Sequence, residues 1–187
     1  MITTIYRTGQ MSVPTHRDDV LQHWAEFDAR RPEGHLSRSE ALFASPDLHG
    51  GHCWLYGGIL LSTRGHCKNA RFNEVTVESD NVRVYCVGDY SKVGFHYGNP
   101  TSEQISGINN YWKNSMTLTE WIQKIGEDYN GQWEVLLPES EIISSRIVTY
   151  TELREMYEEE GLGDYKLGDL DELQMALENG EALRVAA

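Results

Sequence analysis

Short apolar segments separated by turns predict several strands in the first 150 residues of the chain. Residues 81–87 (NVRVYCV) alternate apolar and polar positions, and residues 2–7 (ITTIYR) are rich in β-branched side chains, both of which are typical of strands. Further strands are predicted over residues 41–44 (ALFA), 132–137 (QWEVLL) and 142–148 (IISSRIV). Residues 54–61 are apolar but contain Gly57 and Gly58, so their pattern fits a helix or a strand.

Helical spacing of apolar residues predicts the remaining elements. Residues 15–30 carry one apolar stripe, formed by Val20, Leu21, Trp24 and Phe27, and residues 117–125 (TLTEWIQKI) carry another. Two acidic helices are predicted over residues 151–160 and 170–179. Residues 91–107 are rich in Gly, Asn, Ser and Pro, which predicts a long loop.

The order of these elements indicates the fold class. Strands and helices follow one another irregularly, which favours an α+β fold over a doubly wound parallel sheet. The sequence contains no Gly-rich phosphate loop of either common type. A length of 187 residues suits one main domain. We assign residues 1–150 to that domain and residues 151–187 to an acidic helical C-terminal extension.

Composition and charge narrow the classes of partner. The formal net charge is −13, which argues against a broad nucleic-acid-binding surface but is compatible with a basic protein partner. No apolar run reaches the roughly 20 residues that span a bilayer, and the N-terminus does not resemble a signal peptide. Three cysteines are too few for a disulfide framework. We therefore expect a cytoplasmic protein with reduced thiols and no membrane contact.

The segment over residues 129–138 (YNGQWEVLLP) carries the most informative chemistry. Gln132 and Glu134 are two positions apart on the predicted strand, so their side chains share one face, while Trp133 and Val135 share the other. A carboxylate and a carboxamide held side by side can orient a ribose hydroxyl and stabilise positive charge that grows at the anomeric carbon. The pair therefore indicates chemistry on a sugar.

This segment resembles the last motif of the mono-ADP-ribosyltransferases of the Arg-Ser-Glu class, in which a (Glu or Gln)-x-Glu pair opens a strand of the form E-V-L-L-P. Residues 5–7 (IYR) look like the first strand of that family. Residues 42–45 (LFAS) look like its second strand, with Ala44 where the family's Ser-Thr-Ser motif has threonine. The resemblance implies a split sandwich of two small, mainly antiparallel sheets with flanking helices, and it implies NAD as co-substrate.

The resemblance also implies the roles of the residues around NAD. Arg7, with Tyr6 beside it, would hold the phosphates, and its fork-shaped guanidinium suits a pyrophosphate better than a lysine does. Ser45 and Phe43 would support the nicotinamide side. Glu134 would accept a hydrogen bond from the 2′-hydroxyl of the nicotinamide ribose and promote the departure of nicotinamide.

The acceptor side follows from the same resemblance. Gln132 would face a macromolecular acceptor, which we expect to be a protein. In the family, Glu at that position accompanies arginine acceptors, and Gln occurs in Rho-modifying exoenzymes that modify asparagine, so the resemblance points away from arginine. Tyr129 would dock the acceptor surface, as aromatic residues often do.

Three other interpretations of the sequence compete with the transferase interpretation. An acidic interaction or inhibitor protein could occupy a basic partner without catalysis, and an NAD glycohydrolase could use the same site with water as acceptor. A metal site is suggested by the repeat of Gly-His-Cys at residues 51–53 and 65–67. Adjacent ligands point in opposite directions on a strand and the usual two-residue gap is missing, so we predict no metal centre.

Overall fold

The protein is described from a computed structural model, over residues 1–9, 11–13, 18–48, 72–88, 100–124 and 133–159. The strands in these ranges are β1 (Ile2–Thr8), β2 (Leu42–Ala44), β3 (Phe72–Glu78), β4 (Arg83–Cys86), β5 (Met116–Thr117), β6 (Trp133–Leu137) and β7 (Ile142–Val148). The helices are α1 (Asp18–Asp28), α2 (Ser102–Lys113), α3 (Leu118–Lys124) and α4 (Tyr150–Glu159). The predicted α+β class is confirmed. None of the helices described has both the length and the apolar character that crossing a bilayer requires.

The strands form two small antiparallel sheets. One has the order β1-β3-β7 and the other has the order β2-β6-β4-β5. An isolated bridge joins them, in which the backbone N–H of Tyr6 donates to the carbonyl of Ser45 at 2.9 Å and the N–H of Ser45 donates back at 2.7 Å. The end of β2 is therefore tied to β1 at one point where the two sheets meet.

The space between the sheets holds the first hydrophobic core. Its buried members from both sheets and from α3 include Ile5, Leu42, Val75, Val77, Val84, Leu118, Trp121, Val135 and Leu137. Because side chains alternate along a strand, Val135 and Leu137 face this core while Glu134 and Leu136 face the other side of β6. The predicted alternation across Glu134 is thereby confirmed.

A second core covers the opposite face of the four-stranded sheet. Helices α1 and α2 pack there, and its buried members are Phe27, Ala41, Tyr85, Val87, Ile108, Tyr111, Trp112 and Leu136. Trp112 also donates its indole N–H to the carbonyl of Phe27 at 2.9 Å, which ties α2 to the end of α1. Both faces of this sheet are covered, so a polar side chain between the sheet and the helices needs a partner.

The prediction of a loop over residues 91–107 is wrong at the C-terminal end of that segment. Helix α2 begins at Ser102, where the Thr101 side chain accepts a hydrogen bond from the Gln104 backbone and the Gln104 side chain accepts one from the Thr101 backbone. This capping box satisfies backbone groups at the helix start, and Ile108 is buried on the inner face together with Tyr111 and Trp112.

The other predicted elements mostly agree with the structure. Strands are confirmed at residues 2–7, 41–44 and 142–148, and helices at residues 117–124 and 151–159, within a residue or two at each end. The strand predicted over residues 81–87 is shorter, and strand β3 was not predicted. The predicted elements at residues 54–61 and 170–179 lie outside the described residues, as does the start of the helix predicted over residues 15–30.

Candidate functional site

A cavity of about 120 Å³ lies beside the point where the two sheets meet. It is lined by Tyr6, Arg7, Thr8, Phe43, Ala44, Ser45 and Glu134. Strands β1 and β6 and the end of β2 each contribute to its wall, although they are far apart in the sequence. Five of the seven lining residues are site residues predicted from the sequence, and the structure brings them together.

Arg7 is a buried cation in this wall, with 7% of its surface exposed. Its Nη1 donates a hydrogen bond to the backbone carbonyl of Phe43 at 2.5 Å, which orients the guanidinium between β1 and β2. Burial lowers the pKa of Arg7 to about 10, because the charged form loses contact with water. The group stays charged at neutral pH.

Ser45 and Tyr6 shape the wall mainly through their backbones. The Ser45 hydroxyl donates to the backbone carbonyl of Asp47 at 2.6 Å, so its proton goes to its own turn. The ring of Tyr6 stacks on Phe72, with 5.9 Å between ring centres. In this arrangement the Glu134 carboxylate is held by groups other than Ser45.

Glu134 is buried, with 3% of its surface exposed, and its carboxylate is held from the helix side. The Tyr111 hydroxyl donates to Oε1 at 2.7 Å, and Nη1 of Arg38 donates to the same oxygen and forms an ion pair with it. Nη1 of Arg38 also donates to the Tyr111 hydroxyl at 2.6 Å. The three side chains form a closed triangle of hydrogen bonds, here called the carboxylate clamp.

Aromatic rings enclose the guanidinium of the clamp. The Arg38 carbon Cζ lies 4.8 to 5.8 Å from the centres of four rings, those of Trp24, Phe27, Phe43 and Tyr111. Rings at this distance attract a cation through their negative faces. They also block other rotamers of Arg38, whose surface is 4% exposed. The position of Oε1 is therefore fixed by a rigid surrounding.

Burial raises the pKa of the Tyr111 hydroxyl well above its usual value, against the opposing effect of Arg38. Tyr111 therefore stays protonated and remains a donor to Glu134 at all physiological pH values.

Sequence reasoning missed Arg38 and Tyr111. Arg38 lies in a short polar run, and its partner Glu134 is 96 positions further along the chain, so no local pattern links them. Ile108, Tyr111 and Trp112 have the spacing of one helical face. That spacing could have indicated that Tyr111 is buried, had the helix α2 been predicted.

Two predicted site residues, Gln132 and Tyr129, lie outside the described residues, and so do both Gly-His-Cys segments. Among the described residues, no three His, Cys, Asp or Glu side chains are grouped as a metal ion would require. No protein-family model, curated protein or solved structure matches this chain.

Proposed function

We propose that this chain is an NAD-dependent mono-ADP-ribosyltransferase, which moves ADP-ribose from NAD to a macromolecular acceptor, taken to be a protein, and releases nicotinamide. One observation carries the proposal: Arg7, Ser45 and Glu134, which one family resemblance selected from three separate segments of the sequence, line the same cavity. A buried cation and a fixed carboxylate in the wall of one cavity suit a ligand that has both a phosphate and a reactive sugar.

The size of the cavity limits what it could hold. Sites for drug-sized ligands enclose about 300–1,000 Å³, and this cavity encloses about 120 Å³. That volume matches a single ring rather than a whole dinucleotide. We infer that it receives the nicotinamide ribose region of NAD, with Arg7 at the edge nearest the phosphates. NAD supplies an anomeric carbon that already bears a good leaving group.

The carboxylate clamp gives Glu134 a defined task. Because Arg38 and Tyr111 both bind Oε1, Oε2 is the oxygen that would accept a hydrogen bond from the ribose 2′-hydroxyl. The clamp keeps the carboxylate in one orientation, so little reorganisation is needed when positive charge develops on the ribose. Arg38 offsets part of the negative charge of Glu134, so we expect the hydrogen bond to contribute more to catalysis than the net charge does.

Labelled NAD, incubated with the protein and a cell lysate, tests the proposal. We expect a labelled macromolecular band and release of nicotinamide. Glu134→Gln should lower the transfer rate about 100-fold or more, as expected when a positioned catalytic group is removed, while NAD binding is kept. Arg7→Lys should weaken NAD binding about tenfold, because a lysine lacks the fork that matches phosphate.

Arg83→Lys is the matched control for Arg7→Lys. Arg83 is a half-buried arginine on β4 whose Nη2 donates to Ser115, and it does not line the cavity. The rate of ADP-ribose transfer and the affinity for NAD should both be unchanged in Arg83→Lys. Circular dichroism should show that every variant is folded. Release of free ADP-ribose without a labelled band would indicate an NAD glycohydrolase. Absence of NAD binding would contradict the proposal and favour an acidic interaction protein.

A further inference from the structure

A second and larger cavity, here called the lysine groove, lies at the N-terminal end of β6. It is an open groove on the protein surface, with a volume of about 550 Å³. Its apolar wall includes Trp133, the first residue of β6, and Met116, the first residue of β5. Because Trp133 directly precedes Glu134, a single strand carries both the groove and the catalytic carboxylate.

Two lysines border the groove, each at the last position of a helix. Lys113 ends α2 and Lys124 ends α3, and both are exposed. Within the part of the chain that the structure describes, neither lysine forms a salt bridge with a carboxylate. Lys124 does follow Glu120 by four positions on α3, and its charge adds to the Thr117 hydrogen bonds that lower the pKa of Glu120. Several arginines in that part of the chain do form salt bridges with carboxylates, among them Arg30, Arg38 and Arg146. In a chain of net charge −13, two exposed lysines at one groove that also holds one carboxylate make this groove a candidate site for a negative group.

The charges around the groove also indicate the size of that negative group. Glu120 lies at the same cavity, and its carboxylate accepts hydrogen bonds from the Thr117 backbone at 2.8 Å and the Thr117 hydroxyl at 3.1 Å. Two lysines and one glutamate leave a net charge of about +1. A carboxylate balances this charge, whereas a phosphate monoester carries about −1.5 to −2. Lysine is also a point charge without the fork that favours phosphate.

We propose that the lysine groove docks the acceptor protein by taking an Asp or Glu side chain of that protein between Lys113 and Lys124, with an adjacent apolar residue against Trp133. The description of the partner as an acceptor rests on the proposed function, but the chemistry of docking does not. Trp133 gives a half-buried aromatic surface of the kind that anchors protein interfaces. A segment held there lies beside the strand that positions Glu134.

Fluorescence anisotropy with short labelled peptides tests the groove in the absence of NAD. One peptide has two glutamates flanked by leucines in a Gly-Ser background, and its partner has glutamines instead. We expect the glutamate peptide to bind more tightly. Each of Lys113→Gln and Lys124→Gln should weaken binding up to about fivefold, since an exposed ion pair contributes at most about 1 kcal/mol. The double variant should approach the affinity of the glutamine peptide.

Arg30→Gln/Arg31→Gln is the matched control, because it removes two exposed or half-exposed positive charges away from the groove. If that variant weakens peptide binding as much as the double lysine variant does, binding depends on the overall charge of the protein. The proposal that the groove binds the peptide is then refuted. Equal binding of the two peptides, or displacement of the glutamate peptide by millimolar inorganic phosphate, would refute a carboxylate site as well.

The outcome separates the two proposals. Loss of peptide selectivity with NAD turnover intact overturns the groove and leaves the transferase proposal standing. Peptide selectivity without NAD turnover overturns the transferase proposal and leaves the groove as a docking site for an acidic segment of a partner. Displacement of the peptide by NAD would place the dinucleotide in the groove, which overturns the assignment of the groove to the acceptor.

Discussion

The carboxylate clamp makes a quantitative prediction about stability. Arg38→Met leaves the Glu134 carboxylate buried with Tyr111 as its remaining clamp partner, and Glu134→Met leaves the Arg38 guanidinium buried among its rings. Removing one partner of a buried ion pair costs about 3–5 kcal/mol, because the other charge stays out of water. We expect each single variant to lose about that much free energy of unfolding.

The double variant should lose less than either single variant. Replacing both charges with apolar side chains of similar length removes the uncompensated charge, and such replacements are often neutral or even stabilising. The Tyr111 hydroxyl then lacks its acceptor, which costs about 1–3 kcal/mol. The sum of the single losses minus the loss in the double variant should therefore be at least about 3 kcal/mol.

Urea unfolding, followed by tryptophan fluorescence and by circular dichroism, measures these quantities. With a slope of about 2 kcal/mol/M, a loss of 3–5 kcal/mol lowers the midpoint by about 1.5–2.5 M. The two probes should give coincident transitions, which is the condition for interpreting the midpoint as a free energy. Single losses below about 1 kcal/mol, or losses that simply add in the double variant, would show that the pair is not a buried unit.

Three further predictions concern single positions. Tyr111→Phe keeps the ring but removes one hydrogen bond to Glu134. Under the proposed transferase function, this variant should lower kcat while NAD affinity measured by calorimetry stays the same. Hydrogen bonds from the Thr149 backbone and hydroxyl lower the pKa of Glu152 to about 2. The stability that Glu152 contributes is therefore fully present above its unfolded pKa of about 4.5 and is lost as pH falls towards 2. Glu152→Gln should flatten that part of a pH–stability curve, and an unchanged curve would contradict the assignment. Thr101→Ala removes the capping box and should cost about 1 kcal/mol, with faster amide exchange at the start of α2.

Local patterns predicted most of the strands but missed β3 and the polar helix α2. Alternating or β-branched apolar runs specify a strand within a few residues, and strands β1, β2 and β7 were found in this way. Helix α2 contains Gly107 and two asparagines, which favour a loop by composition. Its stability comes instead from the Thr101 cap and from burial against the sheet, and burial is a tertiary property that local composition does not carry.

In the candidate site, too, some residues could be predicted from local sequence and others could not. Tyr6, Arg7, Phe43, Ser45 and Glu134 were selected by motif, and the structure places them on one cavity. The groups that hold Glu134 could not be selected in that way, because a contact between positions 38 and 134 depends on how the chain folds back on itself.

The link between the two sheets has a consequence for how this protein could vary. Tyr6 and Ser45 exchange two backbone hydrogen bonds, and Arg7 adds a third to the carbonyl of Phe43, all at the rim of the small cavity. Among the described residues, side chains of the core between the sheets also hold the two sheets together. Trimming a methyl group from Val75, which touches no ligand, would change how the two sheets pack and so the width of the cavity. Substitutions deep in the sandwich would then tune ligand selectivity while every residue that meets the ligand is kept.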